Sequence, residues 1–452
     1  MINNKLKTIE LLAPAGLSAK ANKENKRGSQ KEVGLRDKHK SVELLAPAGN
    51  LEKLKYALAY GADAVYAGIP DFSLRVRINN FTQDSLREAV AYVHKKKKKI
   101  YITLNIYAHN VHLEQIKEHL KFLKTLHIDG VIVADPGIIM LVKKYLPKVE
   151  IHLSTQANAT NIEAVKFWAK MGVTRIVLAR EVTLEEIREI KLAVPKMELE
   201  YFVHGAMCMS YSGRCILSKW MTGRSANLGD CTQPCRWKFS QTDKIYETTV
   251  QDDMQRFAVD LEEDQHGTYF FNSRDMNLSA HVQDLVEAGV DCLKIEGRAK
   301  SVYYVATVTR AYGKIVKALG KKNLPQVIQE QQKELDTLVN RGYSKGFLLG
   351  SEPEHNFEGQ MNTVDYQFVG QIEGKKTIGG KIFNIVFMHN AMFLRDKMEA
   401  VAPKGTEKIR IKQILNHKLE KVIEAHGGHD KRFLVQFDTV LQEKTLLRRR
   451  IK

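Results

Sequence analysis

From residue 43 onward the chain alternates short β-branched runs with longer stretches of helical period, and this alternation limits the possible folds more than any other feature. Strands are predicted at 43–46, 64–67, 100–104, 130–134, 150–154, 175–179, 199–203 and 292–295. Between them, stretches such as LEKLKYALAYGA, LEQIKEHLKFLKTL and NIEAVKFWAKMG carry apolar residues three and four apart, the spacing of a helix with one buried face. Eight such units close a (β/α)8 TIM-like barrel, an α/β fold. Gly61, Gly172 and Gly289 fall at helix-to-strand hinges, where the chain must reverse. A doubly wound open sheet would also use βα units, but no GxGxxG follows any of these strands.

The seventh unit is interrupted. Across about 205–277 the periodic pattern gives way to an insertion rich in cysteine, glycine and aromatic residues, after which SAHVQDLVEAG resumes the helix. Loops that follow barrel strands build active sites, so the insertion is expected to carry function. Further helices are predicted at about 302–319 and 327–340. Near Asp365 the character changes, and YQFVGQIEGKKTIGGKIFNIVFMHN and RFLVQFDTVLQ read as short strands with glycine turns. The domain division is therefore a barrel with its insertion at 43–360 and a small C-terminal β-barrel at 365–452. Residues 1–42 form a basic arm with little apolar content to bury. ELLAPAG occurs in this arm at 10–16 and again at 43–49, and only the second copy leads into a helix, so it is taken as the first strand.

Composition narrows the class. The 452 residues are 44% hydrophobic and 27% charged, enough for a sizeable core. No uninterrupted apolar run reaches about 18 residues, and the N-terminus lacks the pattern of a signal peptide. The expectation is a cytoplasmic protein with no membrane segment. The formal charge is +18, of which the first 42 residues hold +6 and residues 365–452 hold +8, leaving a nearly neutral body. Basic extremities suit an enzyme that grips a polyanion at its edges, although solubility alone would account for them equally well.

Four of the five cysteines, Cys208, Cys215, Cys231 and Cys235, fall in the insertion with the spacing C-x6-C-x15-C-x3-C. In a cytosolic chain this is a metal-site pattern rather than a disulfide framework, because soft thiolates select zinc or an iron–sulfur cluster. The paired C-x2-C or C-x4-C of zinc knuckles is absent, which favours iron–sulfur; zinc stays the alternative. Cys292, inside the eighth predicted strand, reads as a small core residue. The C-x3-C-x2-C of radical S-adenosylmethionine enzymes is absent, as are HExxH, GxSxG and GxxxxGK[ST].

The stretch EYFVHGAMCMSYSGRCILS at 200–218 resembles the signature of peptidase family U32, the collagenase-like peptidases. ELLAPAGNLEKLKYALAYGADAVYAG, SLRVRINNF, HLSTQANATN and LKIEGRAKSVYYV resemble the same family, and the likeness covers roughly 42–452. Within the family it is strongest to members that modify tRNA. The resemblance implies an RNA-modifying enzyme that hydroxylates wobble uridine to 5-hydroxyuridine with prephenate as co-substrate. It also implies a [4Fe-4S] cluster on Cys208, Cys215, Cys231 and Cys235. The family name implies proteolysis as the alternative, although no nucleophile–base pair is recognisable. A third reading is a non-catalytic RNA-binding subunit with a structural metal, and a partner protein is left open.

Other candidates sit at strand ends, where a barrel presents its chemistry. His204 and Glu296 follow the seventh and eighth strands and are candidate catalytic groups. Asn105, Gln156, Arg180 and Arg298 are candidate substrate contacts, the two arginines being suited to a small dicarboxylate. Arg75 and Arg77 follow the second strand and are candidate substrate contacts that could face either phosphate or solvent. The Lys95–Lys99 run precedes a strand and so belongs to the opposite, solvated face. Tyr211, Arg214, Lys219, Trp220, Arg224, Arg236, Trp237 and Lys238 mix rings with cations in the way single-stranded RNA is held; the two tryptophans could equally shield a cluster.

Overall fold

The computed structural model describes residues 41–69, 81–208, 210–237, 239–242, 248–252, 258–261, 273–350, 362, 364–427 and 431–451. Arg75, Arg77, Lys238 and residues 1–40 of the basic arm lie outside the described residues. Eight parallel strands form the barrel: β1 (Glu43–Ala48), β2 (Ala64–Gly68), β3 (Lys99–Leu104), β4 (Gly130–Val133), β5 (Glu150–Leu153), β6 (Arg175–Val177), β7 (Glu198–Ala206) and β8 (Cys292–Ile295). Each pairs with its successor, and β8 closes on β1 with Cys292 opposite Glu43. Every strand read from the sequence is present.

The helices between strands begin where side chains can accept the orphan amides of the first turn. Asn50, Asp135 and Asn161 cap Leu51–Ala59, Pro136–Tyr145 and Ile162–Lys170, while Thr82 and Thr183 form capping boxes on Gln83–Lys95 and Leu184–Ala193. Their apolar stripes pack on the barrel wall through residues such as Leu54, Val93, Leu120, Ile138, Val165 and Ile187. Among the described residues no helix is long and apolar enough to cross a membrane.

The lumen is packed by Leu45, Ala64, Tyr66, Tyr101, Ile132 and Cys292, but it also holds charge. Glu200 is fully buried, accepts from Lys294 Nζ at 2.6 Å and lies 3.4 Å from Arg175 Nη1. Arg175 also meets Glu43 and Glu198 at 2.7 Å. Burial alone would push the Glu200 carboxyl up; Lys294 and Arg175 outweigh it and hold the group below the ordinary carboxylate range. The Cys292 thiol donates to Glu43 Oε1 at 3.4 Å, and burial pushes its pKa up, which suits the core role expected of it.

After β8 the Val302–Ala318 helix departs from the amphipathic pattern: fourteen of its seventeen residues are buried. A helix apolar on most sides is one covered on most sides. Here the barrel lies on one flank and the C-terminal sheet on the other. Arg310 donates to the carbonyls of Ala402 at 2.7 Å and Gly405 at 2.9 Å, and Tyr60 donates to those of Val401 and Lys444. The following helix, Leu324–Leu335, starts earlier than its periodicity suggested because Pro325 suits a first turn.

The C-terminal region is an eight-stranded antiparallel sheet spanning Tyr366 to Arg450, with a separate two-stranded ribbon, around a core that includes Val369, Val386, Ile414, Val435 and Leu447. Several strands escaped the sequence reading: the insertion holds a three-stranded antiparallel sheet of Phe239–Thr242, Thr248–Asp252 and Ala258–Leu261, Asp275–Asn277 runs antiparallel to β7, and Tyr343–Ser344 pairs beside it. The two strands beside β7 are only three and two residues long, too short to show a period of their own.

Replacing Glu200 by Gln leaves Lys294 without its buried counter-charge. The expected outcome is a loss of about 3–5 kcal/mol of unfolding free energy, measured by denaturant titration. A loss below about 1 kcal/mol would show that the network does not organise the lumen.

Candidate active site

The C-terminal ends of the strands open into a cavity of about 340 Å³. Asn105 and Thr103 come from the end of β3, Ser154 and Gln156 from the end of β5, Arg180 and Glu181 from beyond β6, and Glu296 and Arg298 from beyond β8. Most of the predicted substrate contacts thus line one cavity. Asn105 Nδ2 donates to Ser154 Oγ at 3.2 Å, and Arg298 Nη1 donates to Thr103 Oγ1 at 2.8 Å. The Arg180 guanidinium stacks 3.9 Å from the centre of the Phe202 ring, and its Nε has no hydrogen-bond partner among the described residues. Lys294 lies at the floor, its ammonium 4.5 Å from the Tyr66 ring centre.

Sequence reasoning missed Lys294, although a lysine between Leu293 and Ile295 inside a barrel strand is a signal: a buried cation needs a reason. Together with Arg180 and Arg298 it sets three cations around the strand ends.

His204 is not among the lining residues. Its ring is buried between Tyr304, Tyr312 and Tyr343, with centroids 5.4 to 5.9 Å away. The cause is a register shift in the β7–β8 pairing: Lys294 faces Phe202, yet the next residue, Ile295, faces His204. One extra residue on β7 reverses the inward–outward alternation, so the lumen phase of Glu200 and Phe202 does not continue to His204. Beside it Gly205 has φ +114°, and a Cβ there would stand 2.8 Å from Glu296 Cβ and carbonyl oxygen, so β7 and β8 approach closely only because glycine occupies this position.

The insertion roofs the cavity. Its first turn is latched to β6 by Glu181, which accepts from Ser212 N at 2.7 Å and Ser212 Oγ at 3.0 Å. Gly213, at φ +75°, presses on the strand-five rim so closely that a Cβ would fall 2.0 Å from the Gln156 carbonyl oxygen. Further along, Arg224 forms a fork on Asp230 at 2.6 and 2.9 Å, and Ser218 Oγ accepts from Thr232 N at 3.0 Å.

These contacts bring Cys208, Cys215, Cys231 and Cys235 to the lining of one cavity, and none of them is in a disulfide. Among the described residues no three His, Cys, Asp or Glu side chains converge as a single-ion site. Four soft thiols are the donor set that either zinc or an iron–sulfur cluster would take. Gln233 N donates to Cys231 Sγ at 3.4 Å, an amide–sulfur bond suited to a thiolate. Trp220 is 69% exposed and so does not shield the cavity; Tyr211 and Ile216 are also exposed on the roof. The Lys95–Lys99 run lies at the opposite end, largely in solvent, as expected.

The fold and the cavity define a class: a TIM-like barrel with polar, cationic and thiol side chains gathered at the C-terminal ends of its strands. The sequence profile described as peptidase family U32 matches residues 49–358, and the chain belongs to this family. It is 39% identical to a tRNA hydroxylation protein P of Haemophilus influenzae over 422 residues, covering 84% of this chain and 90% of that one. It is 43% identical to tRNA hydroxylation protein P1 of Bacillus subtilis over 326 residues, covering 72% and 75% of the two chains. The solved structure of the U32 peptidase Mk0906 is 14% identical with a TM-score of 0.38, covering 60% of this chain and 99% of that one.

Burial, reinforced by the charge of Lys300, lowers the His204 pKa from 6.5 to about 3. The unfolded chain therefore takes up this proton first, and stability present above pH 6.5 falls progressively as the pH drops toward 3. In denaturant unfolding across that window, His204→Gln should remove a slope of up to about 1.4 kcal/mol per pH unit. An unchanged slope would mean that the histidine titrates normally in the folded protein.

Proposed function

We propose that the protein hydroxylates a pyrimidine of tRNA, the wobble uridine, giving 5-hydroxyuridine. The observation that carries this reading is the four cysteines lining one cavity with the cationic strand ends, in a chain 39% identical to a tRNA hydroxylation protein over most of its length. Cys208, Cys215, Cys231 and Cys235 would hold a [4Fe-4S] cluster, which when bound supplies one-electron chemistry. The remaining roles fall to the chain itself. Arg180 and Arg298 offer guanidinium forks for the carboxylates of a small dicarboxylate, for which prephenate is the proposed co-substrate. Lys294, held by Glu200, adds fixed positive charge at the floor. Glu296, at the rim of β8, is placed to accept a hydrogen bond from a substrate N–H.

Proteolysis is the weaker reading. The cavity lining includes no histidine to serve as base for a thiol or hydroxyl nucleophile, and His204 is packed elsewhere.

Mass spectrometry of tRNA nucleosides from a deletion strain without a paralogue should show the loss of 5-hydroxyuridine and its derivatives, restored by the wild-type gene and not by Cys215→Ala. Unchanged nucleosides would remove the proposal, and cleavage of gelatin by the purified protein would revive the peptidase. Anaerobically purified wild-type protein should be brown with broad visible absorbance. Cys231→Ala and Cys235→Ala should each lose most of that absorbance, and a colourless wild-type protein binding stoichiometric zinc would replace the cluster assignment.

A further inference from the structure

A second hollow lies on the other side of the roof. It is an open groove of about 500 Å³ that shares Gly213, Cys215 and Asn227 with the active-site cavity. Its floor is Ala134, Pro136 and Ala157, and its sides are Tyr107, Trp168, Arg214 and Ile216. Three features give it a chemical identity. Ala134, Pro136 and Ala157 give it an apolar lining. Two aromatic rings border it, with Trp168 braced edge-on by Phe167 at 5.0 Å. Arg214 is exposed on the roof turn and has no carboxylate partner among the described residues. The neighbouring acids are committed: Asp135 caps the Pro136–Tyr145 helix through Gly137 N and Ile138 N, and Asp230 is forked by Arg224. A ring-and-cation groove of this kind suits a planar base attached to a phosphate.

We propose that this groove is the subsite for a nucleotide adjacent to the target in a single-stranded RNA loop, with its base on Trp168 and its phosphate at Arg214. The inference rests on the RNA-hydroxylase reading and adds a location to it. The two hollows meet at the turn carrying Gly213 and Cys215, so a strand whose target base enters the cavity leads its neighbour over that turn into the groove. Gly213 makes the crossing thin: the turn sits directly on the Gln156 carbonyl, and Tyr107 N, bound to the Asn227 carbonyl at 3.2 Å, ties the groove wall to the roof. Trp220 and Tyr211 of the same insertion are also exposed.

The test is equilibrium binding of the full chain, purified anaerobically, to a hairpin RNA carrying the anticodon loop. Two further hairpins are abasic at the nucleotide on one side or the other of the target. One of the two abasic hairpins should bind wild-type protein about 5- to 100-fold more weakly than the intact RNA. Trp168→Ala should weaken binding of the intact hairpin by a similar factor, and should bind that same abasic hairpin no worse than the intact one. Arg214→Ala, at an exposed position where folding is safe, should lower the slope of log affinity against log salt by about 0.7. Wild-type affinity and salt slope in both variants would overturn the subsite while RNA binding stands. If wild-type protein binds none of the hairpins at any salt concentration, the hydroxylase reading fails and the groove assignment goes with it.

Discussion

The ion network in the barrel lumen is the constraint on which the rest depends. Glu200 has no access to solvent, and it can stay ionised only because Lys294 and Arg175 meet it from neighbouring strands. Arg175 in turn needs Glu43 and Glu198, so strands β1, β6, β7 and β8 are tied by charges that must all be present together. A hydrophobic lumen of equal volume would be as stable or more so. What the ionic version provides is position: Lys294 is held with its ammonium against Tyr66 and Phe202, at the floor of the cavity where substrate would sit.

Above that floor, two different physical devices hold the site. The strand ends supply fixed cations, with Arg298 anchored on Thr103 and Arg180 laid on Phe202. The roof is held by local contacts to the rim, chiefly Ser212 on Glu181 and the glycine-permitted approach of Gly213 to Gln156. Regular secondary structure contributes little to the roof near the cysteines, where the longest helix is Leu217–Thr222. The cysteines are therefore presented by a short-range network, and their placement is only as good as those few hydrogen bonds.

Most of the architecture is legible in the amino-acid sequence. The helices follow from the period that burial on one face leaves, and the eight strands from short, nearly continuous apolar runs between them, since barrel strands are buried on both faces. Asn105, Gln156, Arg180, Glu296 and Arg298 were found by one rule, that residues just past barrel strands face the active side, and all five line the cavity. The same rule failed at His204, because a bulge in β7 reverses the alternation and nothing in EYFVHGA announces it. Lys294 was overlooked for the opposite reason: it sits within a strand, and strand interiors are read as packing. The near-complete burial of Val302–Ala318 was also unforeseen, since the sheet that covers its outer side comes from residues roughly a hundred positions away.

That helix has an asymmetric consequence for how the two lobes can be separated. Its residues belong to the barrel's core, yet Val401 and Leu446 of the C-terminal sheet are part of the same apolar cluster. Stripping the sheet away would strand a greasy, arginine-studded flank on the barrel, a sticky surface that invites self-association. The barrel is thus the dependent partner in this pairing, and any shortened version meant for biophysical work would have to repaint that flank before it could be kept in solution.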